Sequence, residues 1–330
     1  MRIQSLSLAI ATAMLYLPVT SAASSAHHGS VGGLDHVLIW SRNIDQITSV
    51  MAVKLGFQVR PGGDFGDGVA NRIIPFADRS YLELLYFTRP EVQLTDEVRK
   101  HYAATERGAM SNMFALEAND VDGVERQLER EGWDLAPSSP MTYDPDGDGP
   151  QPPRESMWRT VGFKSPPLAG ADLFFIKYAP GASAPVDQAD QIVFRRHPNT
   201  AQRISAVWLL DANAKVTSDR LSRMGFKRTG EVSLPEQGLR GLRFDSGGET
   251  ILALEPLGPG PAADALKERG PHIYGISIAV TDVGQARRIS EWGYGREMKR
   301  YQGLLGDSFA APTTADFGFL VEFHQLAPPR

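Results

Sequence analysis

One pattern of apolar and polar positions occurs four times along the chain. Each copy begins with an apolar run typical of a buried strand and continues, after a polar turn, with apolar residues at helical spacing. In the first copy the helical stripe comprises Ile44, Ile47, Val50, Met51, Val53 and Leu55. Asn43 or Ser41 is the predicted N-cap of this helix, and Gly56 is the residue that ends it.

The four copies are evenly spaced. Their strand heads are His36, Met113, Ala206 and Tyr274. A glycine follows each head after 19 or 20 residues, at Gly56, Gly132, Gly225 and Gly293, and an aromatic residue follows each glycine. Two or three further apolar runs complete each copy. The pattern therefore predicts four βαβββ units, at 34–87, 111–179, 204–256 and 273–326.

These units predict an α+β fold with two domains. Because one βαβββ unit cannot cover both faces of its own sheet, the units should pair. Pairing of neighbours gives a first domain at 32–190 and a second domain at 200–326. Connectors rich in glycine and proline, such as "PGASAPVDQ", separate the units.

The first 26 residues differ from the rest of the chain. Arg2 precedes an apolar run from about residue 6 to residue 19, and small residues then offer cleavage after Ala22, Ala23 or Ala26. This is the pattern of a secretory signal peptide, so we expect a periplasmic or secreted protein. A retained N-terminal anchor is the alternative, although the run is short for a membrane span.

Composition narrows the chemistry. The 330 residues include no cysteine, which excludes disulfides, thiol nucleophiles and zinc thiolates. Any metal must therefore be held by histidine, aspartate or glutamate. The net charge is −5 and basic clusters are absent, so neither nucleic acid nor a membrane is an expected partner. A small molecule is the expected ligand, and a homodimer is possible.

Particular stretches resemble a known family. The first unit opens with "LDHVLI" and closes with "YLELLYF", and this resembles the vicinal oxygen chelate superfamily. That superfamily includes glyoxalase I, extradiol dioxygenases and the fosfomycin- and bleomycin-resistance proteins. The stretches "GGDFGDGVANRIIPFADRSYLELLYF" and "RRHPNTAQRI" look most like its glyoxalase-like subfamily. The resemblance covers about residues 32–326. It implies paired units that form cupped eight-stranded half-barrels, with a divalent metal in the cup.

The resemblance also implies where ligands should lie. In the family, the head of the first strand and the middle of the fourth strand each supply one ligand, and here these positions match His36 and Glu83. A histidine with a carboxylate suits Zn, Fe, Mn or Ni. The second unit has Met113 and Phe174 at these positions. The third has Ala206 and about Ala253, and the fourth has Glu322, with His272 two residues before its strand head.

Further residues are candidates for the same site. His197 could supply a third metal ligand from the linker, or it could be a structural residue bonded to backbone. Asn71 or Arg72 could bind an anionic group of the substrate, whereas a surface ion pair is the alternative for the arginine. Glu322 is a candidate proton carrier, or a structural residue that pairs along its strand with His324.

Together these features predict a divalent-metal-dependent lyase or isomerase that acts on a small carbonyl or hydroxy compound. Glu83 and Glu322 are the predicted catalytic carboxylates, and His36, Glu83 and His197 the predicted metal ligands. A non-catalytic binding protein with a relic metal site is the first alternative. An extradiol-type dioxygenase with two histidines and one carboxylate is the second.

Overall fold

A computed structural model describes residues 31–137, 140–141, 158–179, 193–313 and 318–327. The predicted signal peptide, residues 1–26, lies outside these ranges. Within them the chain forms sixteen strands and six α-helices.

The strands and helices follow the four predicted units. The first unit comprises β1 (Val31–Ser41), α1 (Ile44–Ser49) with a π-helical extension (Val50–Lys54), β2 (Arg60–Asp64), β3 (Val69–Pro75) and β4 (Tyr81–Phe87). The second comprises β5 (Met110–Ala118), α3 (Val121–Arg130), β6 (Pro140–Met141), β7 (Trp158–Val161) and β8 (Asp172–Tyr178). The third comprises β9 (Ala201–Leu210), α4 (Ala214–Arg223), β10 (Lys227–Leu234), β11 (Leu239–Ser246) and β12 (Glu249–Pro256). The fourth comprises β13 (His272–Val280), α6 (Val283–Tyr294), β14 (Arg300–Gly303), β15 (Gly306–Ala311) and β16 (Leu320–Gln325). Helices α2 (Asp96–Ala104) and α5 (Pro261–Arg269) connect the units within each pair.

The sheet topology is the same in every unit. The first strand pairs in parallel with the last strand, and the two middle strands continue the sheet in antiparallel order. Antiparallel pairing of β1 with β5 joins the first two units, and pairing of β9 with β13 joins the other two. The α+β class is confirmed. Within the described residues a single pairing, Ile273 with Ser111, joins the sheet of one half to the sheet of the other.

Side-chain caps explain why the helices begin where they do. The side chains of Asn43, Asp120, Asn213 and Asp282 accept a hydrogen bond from a backbone N–H in the first turn of α1, α3, α4 and α6. Each of these residues follows a strand after a short turn. The repeated turn chemistry therefore produces the repeated change from strand to helix.

The end of the fourth helix differs from the prediction. Gly293 lies inside α6, and the helix ends at Gly295, which has a left-handed φ of 63°. Gly293 has a packing role instead, because a Cβ at this position would overlap the backbone of Lys54. Helix α6 thus lies directly against the π-helical turn of the first unit.

One hydrophobic core is shared by both halves of the protein. The helix-bearing faces of the two sheets pack against each other, and all four units contribute to the core. For example, Phe175 stacks with Phe226 at 6.5 Å between ring centroids. The opposite faces of the sheets form separate clusters, which we call the first cup and the second cup. Helix α2 packs into the first cup and α5 into the second. No helix in the described ranges has the length and apolar character of a membrane span.

Candidate active site

The alternation of side chains along β1 and β4 places His36 and Glu83 together in the first cup. Residues such as Val37 and Leu82 point into the shared core, so their neighbours point into the cup. The strand register sets Leu38 opposite Glu83. Leu38 is the second residue after His36, so it lies on the same face of β1. His36 Nε2 then lies 3.7 Å from Glu83 Oε2, and the two residues are only 3% and 8% exposed.

The other ring nitrogen of His36 contacts a residue that the sequence analysis missed. His36 Nδ1 lies 2.5 Å from Asp35 Oδ1. Adjacent residues of a regular strand point to opposite faces, but the pairing of β1 with β5 shifts register between Leu34 and His36. This irregularity lets Asp35 reach the histidine. A carboxylate oxygen accepts a hydrogen bond, so this contact places a proton on Nδ1, and Nε2 is the ring nitrogen that faces Glu83.

Aromatic side chains surround this histidine. The Tyr81 ring stacks on His36 at 4.4 Å, and Phe174 contacts it edge-on at 5.4 Å. The Tyr178 hydroxyl donates to Asp35 Oδ1 at 3.0 Å. Burial raises the pKa of both tyrosine hydroxyls, and the negative charge of Asp35 adds to this. Both phenols are therefore neutral donors at physiological pH.

Asn71 completes the cluster on the side of Glu83. Its Nδ2 donates to Glu83 Oε1 at 2.6 Å, and its Oδ1 accepts from Gly63 N at 2.8 Å. Asn71 therefore lies at the site, in contact with the carboxylate. Arg72, the other predicted substrate residue, points to the opposite face of β3. It donates to Asp45 and Thr48 on α1, the ion pair that was the alternative for this residue.

His197, the predicted third ligand, is bonded to backbone atoms of the first unit. Its Nδ1 accepts a hydrogen bond from Gln58 N, and its Nε2 donates to the Pro75 carbonyl oxygen, both at 2.9 Å. The ring packs against Phe57 and Phe76. Burial lowers the pKa of His197 to about 4, so the ring is neutral. It is a structural residue that holds the linker onto the first unit.

Glu322 lies in the second cup, away from His36. It is 1% exposed and accepts hydrogen bonds from Ser277 Oγ and Tyr301 Oη, each at 2.7 Å. Burial raises the pKa of its carboxyl, and these two donors oppose the rise. His324, two residues along, bonds Ser205 Oγ through Nε2 at 2.8 Å. The predicted catalytic role of Glu322 therefore cannot involve the first cup.

The strand register refines which residues of the second cup correspond to His36 and Glu83. In the third unit Leu252 belongs to the cup cluster, whereas Ala253 faces the shared core. In the fourth unit Ser277 pairs with Glu322, so Glu322 corresponds to Glu83. His272 begins β13, binds the Gly270 carbonyl oxygen through Nδ1 and contacts Tyr274 of the second-cup cluster edge-on at 6.0 Å.

The first cup offers two donors to a metal ion. Ligands that each lie about 2.1 Å from one ion are about 3 to 4 Å apart, and the 3.7 Å between His36 Nε2 and Glu83 Oε2 fits this spacing. Met113 and Phe174 pack in the apolar cluster of the cup and add no nitrogen or oxygen. In the part of the chain that is described, no three or more His, Asp or Glu side chains are arranged as a metal site. The remaining donors would be water or substrate oxygens.

Comparisons with known proteins agree with this architecture. A family model described as a glyoxalase-like domain matches residues 34–225. Among solved structures, the chain is similar to a mutant of 4-hydroxymandelate synthase from Streptomyces coelicolor, with a TM-score of 0.64 and 12% identity over 91% of this chain and 94% of that chain. It is also similar to a hypothetical protein from Staphylococcus aureus, with a TM-score of 0.57 and 13% identity over 89% and 99%. At these identities the likeness shows the fold. No curated protein matches the chain.

Proposed function

Because the chain belongs to the glyoxalase-like domain family of the vicinal oxygen chelate superfamily, we propose that its first cup is the active site of a lyase or isomerase. The substrate is a small compound with neighbouring carbonyl and hydroxyl oxygens. One observation carries the proposal: Asp35 holds His36 so that its free nitrogen meets Glu83 in a buried cup. Buried polar groups of this kind cluster at functional sites.

The roles of the side chains follow from their contacts. Glu83 is the proton carrier, since Asn71 holds one of its oxygens and leaves the other directed at His36. It takes the proton from the hydroxyl-bearing carbon next to the carbonyl and returns it to the former carbonyl carbon. The C–H electron pair passes through an enediolate, and the hydroxyl proton moves to the former carbonyl oxygen. Without a bound ion, His36 Nε2 accepts a hydrogen bond from the substrate hydroxyl. A divalent ion held by His36 and Glu83 would supply a Lewis acid for the two substrate oxygens.

The apolar surroundings of the pair favour this chemistry. Leu38, Leu85, Met113 and Phe174 line the cup, and α2 covers them. A site that excludes water strengthens the electrostatic contacts of Glu83 and protects a reactive enolate.

Metal analysis tests the proposal. Protein purified without a tag should contain or bind one divalent ion per chain, and both His36→Ala and Glu83→Gln should lose it. Glu322→Gln is the matched control, because it changes the corresponding buried glutamate of the second cup. The control should keep the ion. Equal metal content in all four proteins, or an ion lost only from the control, would contradict the assignment.

A binding protein without catalysis is the second candidate. The presence of Met113 and Phe174 at the ligand positions of the second unit favours it, because the cup then lacks half of the family's donors. In this case the protein purifies without metal. Carbonyl compounds would raise its melting temperature without being converted, and His36→Ala would abolish that shift.

The dioxygenase alternative loses its support, since both nitrogens of His197 are bonded to backbone atoms. We also propose export, which the apolar N-terminal run and its small-residue cleavage sites support. N-terminal sequencing of the protein from its native host should begin after Ala22, Ala23 or Ala26. A mature chain that begins at Met1 would refute export by cleavage. Dimerisation stays a prediction.

A further inference from the structure

We infer that Asp35 and Tyr178 are positioning residues that hold His36 as the Nδ1–H tautomer. The second unit, which supplies no ligand, would then contribute to the site through Tyr178. This inference rests on the proposed function of the first cup, and it adds two residues that act through His36 without touching the substrate.

The inference begins with one shared oxygen. Asp35 Oδ1 lies 2.5 Å from His36 Nδ1 and 3.0 Å from the Tyr178 hydroxyl. Both neighbours donate to it, because a phenol O–H and an imidazole N–H are donors and a carboxylate oxygen accepts. Each tautomer of an imidazole has one N–H. Placing that proton on Nδ1 leaves the Nε2 lone pair for a metal ion or a substrate hydroxyl.

Asp35 needs support because it lies at a strand irregularity. The register of β1 shifts beside it, so the ladder does not fix its backbone as it fixes a regular strand residue. A small cleft of roughly 30 Å³ reaches Asp35 and Tyr178 from the surface, beside Ser80 and Glu117. A carboxylate at such an opening could turn towards water. The hydrogen bond from Tyr178 holds it against the histidine instead.

The second unit is placed to give this support. Phe174 and Tyr178 are four residues apart on β8, so they project from the same face of the strand. Phe174 contacts the edge of the His36 ring, and the Tyr178 hydroxyl donates to the Asp35 carboxylate that contacts Nδ1 of this ring. The strand that lacks the family's second carboxylate therefore orients the histidine of the first unit.

Ring-nitrogen NMR on protein labelled with ¹⁵N-histidine tests this assignment. Spectra are recorded near pH 8 without added metal, and the His36 signals are identified by their loss in His36→Gln. Wild-type His36 should show the Nδ1–H tautomer. Asp35→Asn should convert it largely to Nε2–H, because a carboxamide can donate to Nδ1. Tyr178→Phe should give a mixture of both tautomers.

The second cup supplies a matched control. Tyr301 also donates to a buried carboxylate, Glu322, at 2.7 Å. Tyr301→Phe should therefore leave the His36 signals unchanged. An Nε2–H tautomer in the wild type, or an unchanged tautomer in Asp35→Asn, would overturn the inference. Thermal melting of every variant identifies any that fail to fold, and Tyr178→Phe is conservative enough to keep the test decisive.

Zinc titration separates this inference from the proposed function. Removing such an orienting partner lowers metal affinity by about 10- to 100-fold, so Asp35→Asn should bind Zn²⁺ that much more weakly. Asp35→Glu should restore part of the affinity. If the tautomer responds as expected and the wild type does not bind Zn²⁺, the metal-dependent function fails and the positioning role stands. If Zn²⁺ binds and the tautomer is indifferent to Asp35, the positioning role fails alone.

Discussion

Replacing His197 with alanine should destabilise the protein and leave the metal content unchanged. His197 bonds the backbone of the first unit at two points, Gln58 N and the Pro75 carbonyl oxygen. Its ring also packs between Phe57 and Phe76. Alanine removes all of these contacts at once.

The magnitude follows from the groups left unpaired. A buried polar group without a partner costs about 1 to 3 kcal/mol, and two such groups remain in the variant. Each lost aromatic contact adds about 0.5 to 1.5 kcal/mol. Since these contributions overlap, the expected loss is about 3 to 5 kcal/mol. For a chain of this size that corresponds to a melting temperature lower by roughly 5 to 10 °C.

Calorimetry and metal analysis of the same samples provide the assay. His101→Ala is a suitable control, because the His101 ring makes one stack with Trp40 and no backbone bond between units. The control should melt within about 3 °C of the wild type, since a single ring stack is worth about 1 kcal/mol. A shift for His197→Ala no larger than that of the control would refute the structural role. Loss of metal from the variant would restore His197 as a ligand.

Two further predictions concern the contacts between the halves of the protein. Burial raises the pKa of the Glu249 carboxyl from 4.5 to about 7, while its Oε2 accepts from Leu34 N. The stability that this neutral carboxyl contributes is complete below pH 4.5 and is lost as pH rises through 7, by about 3 kcal/mol. The free energy of unfolding of Glu249→Gln, measured with urea between pH 4.5 and 8, should lack this decline. A decline as steep as that of the wild type would contradict the prediction. Gly170→Ala should lower the melting temperature severely, because its Cβ would overlap the Pro271 carbonyl oxygen. Gly238 also has a positive φ but faces open space, so Gly238→Ala should lower the free energy of unfolding by only about 1 kcal/mol. Equal losses in the two glycine variants would mean that this close approach does not exist.

The sequence predicted the fold well because each unit carries the same local signals for a strand, a turn and a helix. A capping residue, a helical apolar stripe and a glycine recur at fixed spacing, and each has a direct physical meaning. Gly293 was the exception. It occupies the spacing of a helix end, but it serves the close approach of α6 to Lys54, and that contact is between distant parts of the chain.

The site was predictable where it follows from strand alternation and unpredictable where it does not. Period two along β4 places Glu83 in the cup, and the head of β1 places His36 beside it. The same rule points Asp35 away from the cup, and only the register shift beside it brings the carboxylate back to the histidine. The acidic residue next to the histidine in "LDHV" was the available signal. The backbone bonds of His197 were not predictable, because its position depends on the path of the linker, which no local pattern encodes.

The placement of the shared core between the two sheets has an evolutionary consequence. Folding depends on the faces that meet in the middle, whereas the chemistry lies on the faces turned away from them. A duplicated unit could therefore exchange its ligands for apolar residues without loss of the scaffold, as Met113, Phe174 and Leu252 illustrate. The same separation makes the second cup a place for engineering. Histidine at Ala206 and glutamate at Leu252, beside the existing Glu322, would put three metal donors in a cup whose mutations the common core should tolerate.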